Sequence, residues 1–175
     1  MRVFQNSDPN EWGSQPGSSF RVSPWLALVG FVGLCLLVGV TAGVATTPNV
    51  QLWYHSLNRP PLTPPDWLFA PAWAVMYTTM AVAAWLVWRR VGPGPQLRLW
   101  GWQLAANAVW SPLFFTLHIL WLAAVESLVL VVLVALTTRA FARVQRTAGW
   151  LMAPYTAWVC FAAYLSIGFW WLNPA

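Results

Sequence analysis

The sequence has almost no charge. Only 7% of its 175 residues are Asp, Glu, Lys or Arg, where a soluble globular domain carries roughly 25%. So sparse a complement could not cover the surface of a water-soluble fold, which excludes a cytosolic enzyme. A hydrophobic content of 59% and a mean hydropathy of +0.57 exclude a disordered chain as well. Lysine is absent: every basic residue is an arginine, and the net charge is +5. The arginines stand singly or in small groups between apolar runs, the pattern of helix ends at a membrane surface, so no nucleic-acid partner is expected. Cysteine is scarce, and Cys35 and Cys160 each sit inside an apolar run, so neither a disulfide framework nor a metal site is expected. Also missing are a hydrolase triad, a phosphate-cradling glycine loop and the charged ring of an ion pore.

What the chain does have is apolar runs. Five of them, each near the ~20 residues that cross a bilayer, cover 24–45, 65–88, 97–117, 121–142 and 150–172. They are continuously apolar and do not alternate, which argues against a β-barrel. Residues 1–23 read as a flexible polar tail and 24–175 as the transmembrane domain. The first run is longer than a signal peptide's core, and Asp8 and Glu11 precede it, so it reads as a span and not a cleaved leader. The link 46–64 is different in kind. The cluster Pro60, Pro61 and Pro64, with Pro65 beside it, forbids regular helix there and favours extended backbone. Such a segment cannot lie in lipid; it must cover the bundle or line a cavity. The expected fold is therefore all-α: an integral membrane bundle of five transmembrane helices, with a proline-rich loop between helices 1 and 2 capping a cavity.

Arginine placement sets an expected orientation. Arg2, Arg21, Arg89, Arg90, Arg98, Arg139, Arg143 and Arg146 fall on one side of a five-span bundle, and only Arg59 on the other. The positive-inside rule makes the eight-arginine side cytoplasmic. The N-terminus is then inside, and the first loop and the C-terminus are outside.

The sequence contains 15 tryptophans. Trp25, Trp88, Trp100, Trp102 and Trp150 fall at inner helix ends, and Trp67, Trp121, Trp170 and Trp171 at outer ends, where interfacial belts use Trp. Trp73, Trp110 and Trp158 lie too deep for a belt. They either fill the core or form a flat aromatic slot beneath the outer loop. Gln103, Asn107 and Trp110, spaced i, i+4, i+7, share one helix face, where the amides either join helices or orient a ligand. Glu126 is the one acid away from the very end of a span; it reaches the interface, stays neutral or relays protons. His55 and His118 lie on the outer side without a fixed partner. The Gly39-x-x-x-Gly43 pattern suits either a homodimer contact or packing within the bundle. Arg59, the single outer basic residue, either pairs with a ligand's acidic edge or anchors the loop to headgroups. A flat, apolar small molecule fits this slot, with the bilayer as the surrounding partner.

These residues also fall into ordered motifs. The stretch Trp53-Tyr54-x-x-Leu57-Asn58-Arg59-Pro60-x-x-x-Pro64-Pro65-x-Trp67-x-Phe69-x-Pro71-x-Trp73 resembles the first-loop signature of the TspO/MBR family of tryptophan-rich sensory and translocator proteins, also called peripheral-type benzodiazepine receptors. Gln103-Leu104-x-x-Asn107-x-x-Trp110-x-Pro112-x-Phe114-Phe115 and Pro154-Tyr155-x-x-Trp158-x-x-Phe161-Ala162 are similar to its third- and fifth-helix motifs. The resemblance covers about residues 25–173. It implies a multi-pass protein, expected in a bacterial cell membrane, whose cavity binds porphyrins such as protoporphyrin IX, with no cofactor required. The implied ligand-binding set, with the loop residues beside it, is Trp53, Tyr54, Arg59, Trp73, Asn107, Trp110, Trp158 and Ala162. Two departures from the family pattern are Ser166, where Asn is usual, and Trp171, where a basic residue is usual. No Lys or Arg follows Tyr164, which leaves the proposed sterol pattern incomplete. A tetrapyrrole transporter or stress- and oxygen-responsive sensory regulator is expected. The alternatives are a light- and oxygen-dependent porphyrin-degrading enzyme using Trp73 and Trp158, and a structural membrane partner with an incidental cavity.

The arginine split carries a direct test. A reporter fused after Ala175 that works only outside the cytoplasm is expected to be active; activity of a cytoplasm-only reporter there would overturn the orientation and the five-span count together.

Overall fold

A computed structural model describes residues 23–174; apart from Ser23, the expected polar tail lies outside the described residues. Five helices follow one another: α1 Pro24–Leu52, α2 Phe69–Val91, α3 Pro95–Ser111, α4 Leu120–Val144 and α5 Arg146–Leu172, with no strand among the described residues. Four of them, α1, α2, α4 and α5, are long and apolar enough to cross a membrane. The shorter α3 runs without a break into a π-helical turn at Pro112–Thr116, which carries the rod further towards the end of the bundle that holds the α1–α2 loop. The chain is an integral membrane helical bundle.

Around the bundle the helices neighbour one another in the order α1, α2, α5, α4, α3. Consecutive helices are antiparallel, so Arg89, Arg90, Arg98, Arg139, Arg143 and Arg146 gather at one end, while Arg59 and the first loop lie at the other. The link between α4 and α5 is a single extended residue, Gln145, and α5 therefore begins four residues ahead of Trp150. α1 lies at the periphery and buries almost nothing but Cys35. Its exposed Trp25, Leu37 and Val44 need lipid to cover them.

Two boundaries lie away from their expected places. α1 continues beyond Ala45 to Leu52, and its threonine hydroxyls find acceptors inside the helix. The Thr46 and Thr47 hydroxyls donate to the Ala42 and Gly43 carbonyls at 2.7 and 2.8 Å. Thr46 is also 2.8 Å from the Ser111 hydroxyl at the end of α3, which fastens this last part of α1 to the bundle. At the other side of the loop, α2 starts at Phe69 and not at Pro65, after a 3-10 turn at Asp66–Leu68.

One tryptophan needs reassignment. Trp100 is only 5% exposed and meets Phe31 of α1 edge-on, ring centroids 5.4 Å apart; it belongs to the core and not to a belt. The position of a residue along a helix does not show which way it faces, and Trp100 faces inward, next to Leu104 one turn on. Trp25, Trp67, Trp102, Trp121, Trp150, Trp170 and Trp171 are exposed, as belt residues must be.

Of the Gly39-x-x-x-Gly43 pattern, Gly39 makes a close contact within the chain, while a Cβ at Gly43 would meet nothing within 4 Å. A Cβ at Gly39 would sit 2.8 Å from the Tyr77 ring of α2, so the glycine lets the two helices close on that ring. Gly39→Leu is expected to lower stability in detergent by about 1–3 kcal/mol, as overpacked cores do. Gly33→Ala, where a Cβ meets nothing within 4 Å, should leave the melting temperature nearly unchanged. Equal melting temperatures for the two variants would refute the contact.

Candidate functional site

A cavity of about 430 Å³ lies between α1, α2, α3 and α5, at the end of the bundle beneath the first loop. Clefts of roughly 300–1,000 Å³ suit drug-sized ligands. Its floor is a buried polar chain. The Tyr77 hydroxyl donates to Asn107 Oδ1, Asn107 Nδ2 donates to the Tyr155 hydroxyl at 3.2 Å, and Tyr155 donates to Gln103 Oε1 at 2.8 Å. Gln103 Nε2 ends the chain on Met80 Sδ at 2.9 Å. These links join α2, α3 and α5. Amides are expensive in hydrocarbon unless paired, and here every member has a partner.

The walls are aromatic. Trp73 and Trp158 meet edge-to-face with centroids 6.4 Å apart, and Phe69 and Phe161 flank Trp158 at 6.2 and 5.9 Å. Trp110 donates from Nε1 to the Ser166 hydroxyl at 3.2 Å and stacks on Phe114. Ser166 in turn donates to the Ala162 carbonyl. The π turn, where the Leu117 amide reaches back to the Pro112 carbonyl, lets the adjacent rings Phe114 and Phe115 both reach the cavity. Trp158 Nε1 is buried without a hydrogen-bond partner among the described residues.

The roof is the first loop, strapped to the end of α5. The Asn58 amide donates to Asn173 Oδ1 at 2.9 Å, and Asn173 Nδ2 donates back to the Asn58 carbonyl at 3.0 Å. Tyr164 donates its hydroxyl to the Pro61 carbonyl at 3.0 Å. Pro60 packs so close to Gly168 that a Cβ there would lie 2.7 Å from the proline ring. Within the loop, Asp66 accepts from His55 Nε2 at 2.8 Å and lies 3.6 Å from Arg59 Nη1. Arg59 also sits over the Tyr54 ring, 4.9 Å from its centroid. Burial pushes the Tyr54 phenol above its ordinary pKa, partly opposed by that guanidinium.

Of the eight candidate ligand residues, Tyr54, Trp73, Asn107, Trp110, Trp158 and Ala162 line the cavity. Trp53 and Arg59 do not. Trp53 stacks on His118, centroids 4.0 Å apart, and presents an edge to Phe114. Arg59 is an exposed loop residue engaged with Asp66 and Tyr54; among the described residues the charged side chain that lines the cavity is Asp66. Glu126 lies outside the cavity lining, with both carboxyl oxygens buried and unpartnered among the described residues. Tyr77, one helical turn beyond Trp73, and Asp66, the single acid in the loop, were both visible in the sequence but were not singled out. The α1 wall was not foreseen: Gly43 was read only as part of a helix-packing pattern, and Thr47 fell in the link expected to follow the first span.

The comparisons with known proteins agree with this architecture. The TspO/MBR family model matches residues 31–172. The chain is 38% identical over 154 residues to the tryptophan-rich protein TspO of Chlorobaculum tepidum, covering 85% of this chain and 97% of that protein. It is 35% identical over 152 residues to the translocator protein of Bos taurus, covering 84% and 90%. It is 33% identical over 142 residues to the tryptophan-rich sensory protein of Cereibacter sphaeroides, covering 81% and 88%.

The strap yields a prediction. Each hydrogen bond contributes about 0.5–1.5 kcal/mol, and Asn173→Ala removes two between loop and helix. Amide hydrogen exchange across residues 53–68 should accelerate on the order of tenfold, with α4 unaffected. Unchanged exchange in the loop would show that the asparagine pair does not hold it.

Proposed function

Because the chain belongs to the TspO/MBR family, we propose that this membrane protein takes a flat, apolar tetrapyrrole such as protoporphyrin IX into the cavity under its first loop. The family carries a membrane sensory or translocator role, and the ligand is what such a role would sense or move. The observation that carries the reading is the wall itself: Trp73 and Trp158 in edge-to-face contact beside the cavity. A large conjugated ring gains from such aromatic faces. Asn107 and Tyr77 below supply polar groups already ordered by the floor network. Arg59 serves this site through Asp66 and Tyr54, as the brace of the roof. In the bilayer, the arginine-rich end is cytoplasmic and the loop end faces outward.

A second reading, degradation of the bound porphyrin in light and oxygen, draws support from the same Trp73–Trp158 contact, since touching indoles are suited to pass an electron. Both readings predict that Trp158→Ala weakens protoporphyrin IX binding several-fold or more, because losing one stacked aromatic removes about 1 kcal/mol beyond its buried area. Trp150→Ala, at a site 76% exposed, should leave affinity nearly unchanged. Equal losses at both positions would sink the slot. Absorbance spectra of the complex, dark and illuminated, then separate the readings: a stable shifted Soret band supports binding alone, and bleaching to new products supports degradation.

A further inference from the structure

The cavity has a wall that is missing. On α1, Val40, Gly43 and Thr47 line it, yet Val40 is 63% exposed and the other two are exposed as well. On α2, Ala70 and Ala74 line it and are also exposed. A residue can do both only where the cavity reaches the outside. These two rows face each other along the seam between α1 and α2, which is closed at one end by the Gly39–Tyr77 contact and at the other by the roof. The opening lies within two apolar spans, and exposed Val44 and Val75 flank it, so what it opens onto is the hydrocarbon of the bilayer.

We propose that this window admits a phospholipid acyl chain, which occupies the cavity laterally from the membrane when no other ligand is bound. The chemistry of the edges favours a hydrocarbon. None is charged, and the one polar residue, Thr47, has its hydroxyl bonded to the Gly43 carbonyl at 2.8 Å. Gly43 and the two alanines leave room for a chain lying parallel to the helices, and a Cβ at Gly43 would meet nothing within 4 Å. The route from water is the restrained one. There the Asn58–Asn173 pair, Tyr164 and the Pro60–Gly168 contact all hold the loop down. A flexible apolar chain already lying against α1 meets no such barrier, and inside the cavity it gains dispersion contacts with the aromatic walls.

The test uses the full chain in nanodiscs of phosphatidylcholine bearing a photoactivatable diazirine midway along one acyl chain. After irradiation, crosslinks are expected on Leu165, which lines the cavity but is buried from outside, and on Trp110, as well as on the lipid-facing Val129 and Val132. Gly43→Phe with Ala74→Phe should reduce the Leu165 and Trp110 crosslinks at least tenfold and leave those on Val129 and Val132 unchanged. Asn173→Ala, which loosens the roof, should change neither. Wild-type crosslinks confined to outward residues would overturn the proposal even if the double variant failed to fold. Cavity crosslinks that survive closing of the window, or that rise when the roof is loosened, would overturn it too. The outcome does not depend on the porphyrin: failure of protoporphyrin IX to bind would leave the crosslinking pattern to decide the window alone.

Discussion

Asn107 stands where three helices need it. It accepts from Tyr77 on α2 and donates to Tyr155 on α5, while the Tyr155 hydroxyl donates a hydrogen bond to Gln103 Oε1, one turn away on α3. In hydrocarbon an unpaired amide costs several kcal/mol, so these groups must find one another, and the helices that carry them are drawn to a common depth and rotation. Everything above that level follows. With α2, α3 and α5 tied at the floor, their aromatic residues Trp73, Trp110 and Trp158 face a shared space. α1, which has no member in the network, packs at the edge and leaves a seam.

The loop solves a related problem. Its prolines carry no N–H, so the chain can cross the mouth of the cavity with fewer backbone donors to satisfy. Several remaining donors, those of Ser56, Leu57, Thr63 and Leu68, are satisfied by loop carbonyls, and the loop is tied to α5 through Asn58 with Asn173 and through the Pro61 carbonyl with Tyr164. Asp66 collects His55 and Arg59 on the same segment, so the charges of the roof are largely used on one another. A roof built this way is held by a few directional contacts at its far edge and none that cross the cavity.

The tryptophans divide by environment more than by position along the chain. Those at exposed helix ends have an apolar ring for lipid and an N–H for water. Trp85 is buried, yet its N–H is satisfied: it donates to the Pro24 carbonyl at 2.7 Å, and Arg89 lies over its ring. Trp100 is core. The cavity tryptophans differ in having rings that border empty space.

Much of this protein was written in its composition and order. Low charge, five apolar runs and the proline-rich link determined a membrane bundle with a covered end, because hydrocarbon tolerates little besides helices with their hydrogen bonds made internally. The spacing of Gln103, Asn107 and Trp110 placed them on one face, since helical geometry is local. Tertiary structure decided what local geometry does not contain. Which way Trp100 turned, that α1 ran on past Ala45 once Thr46 met Ser111, that Arg59 spent its charge on Asp66, and that α1 stood away from α5 all depend on partners distant in the chain. A sequence can state which residues need a partner. Only packing in three dimensions selects which partner they meet, and where a gap remains.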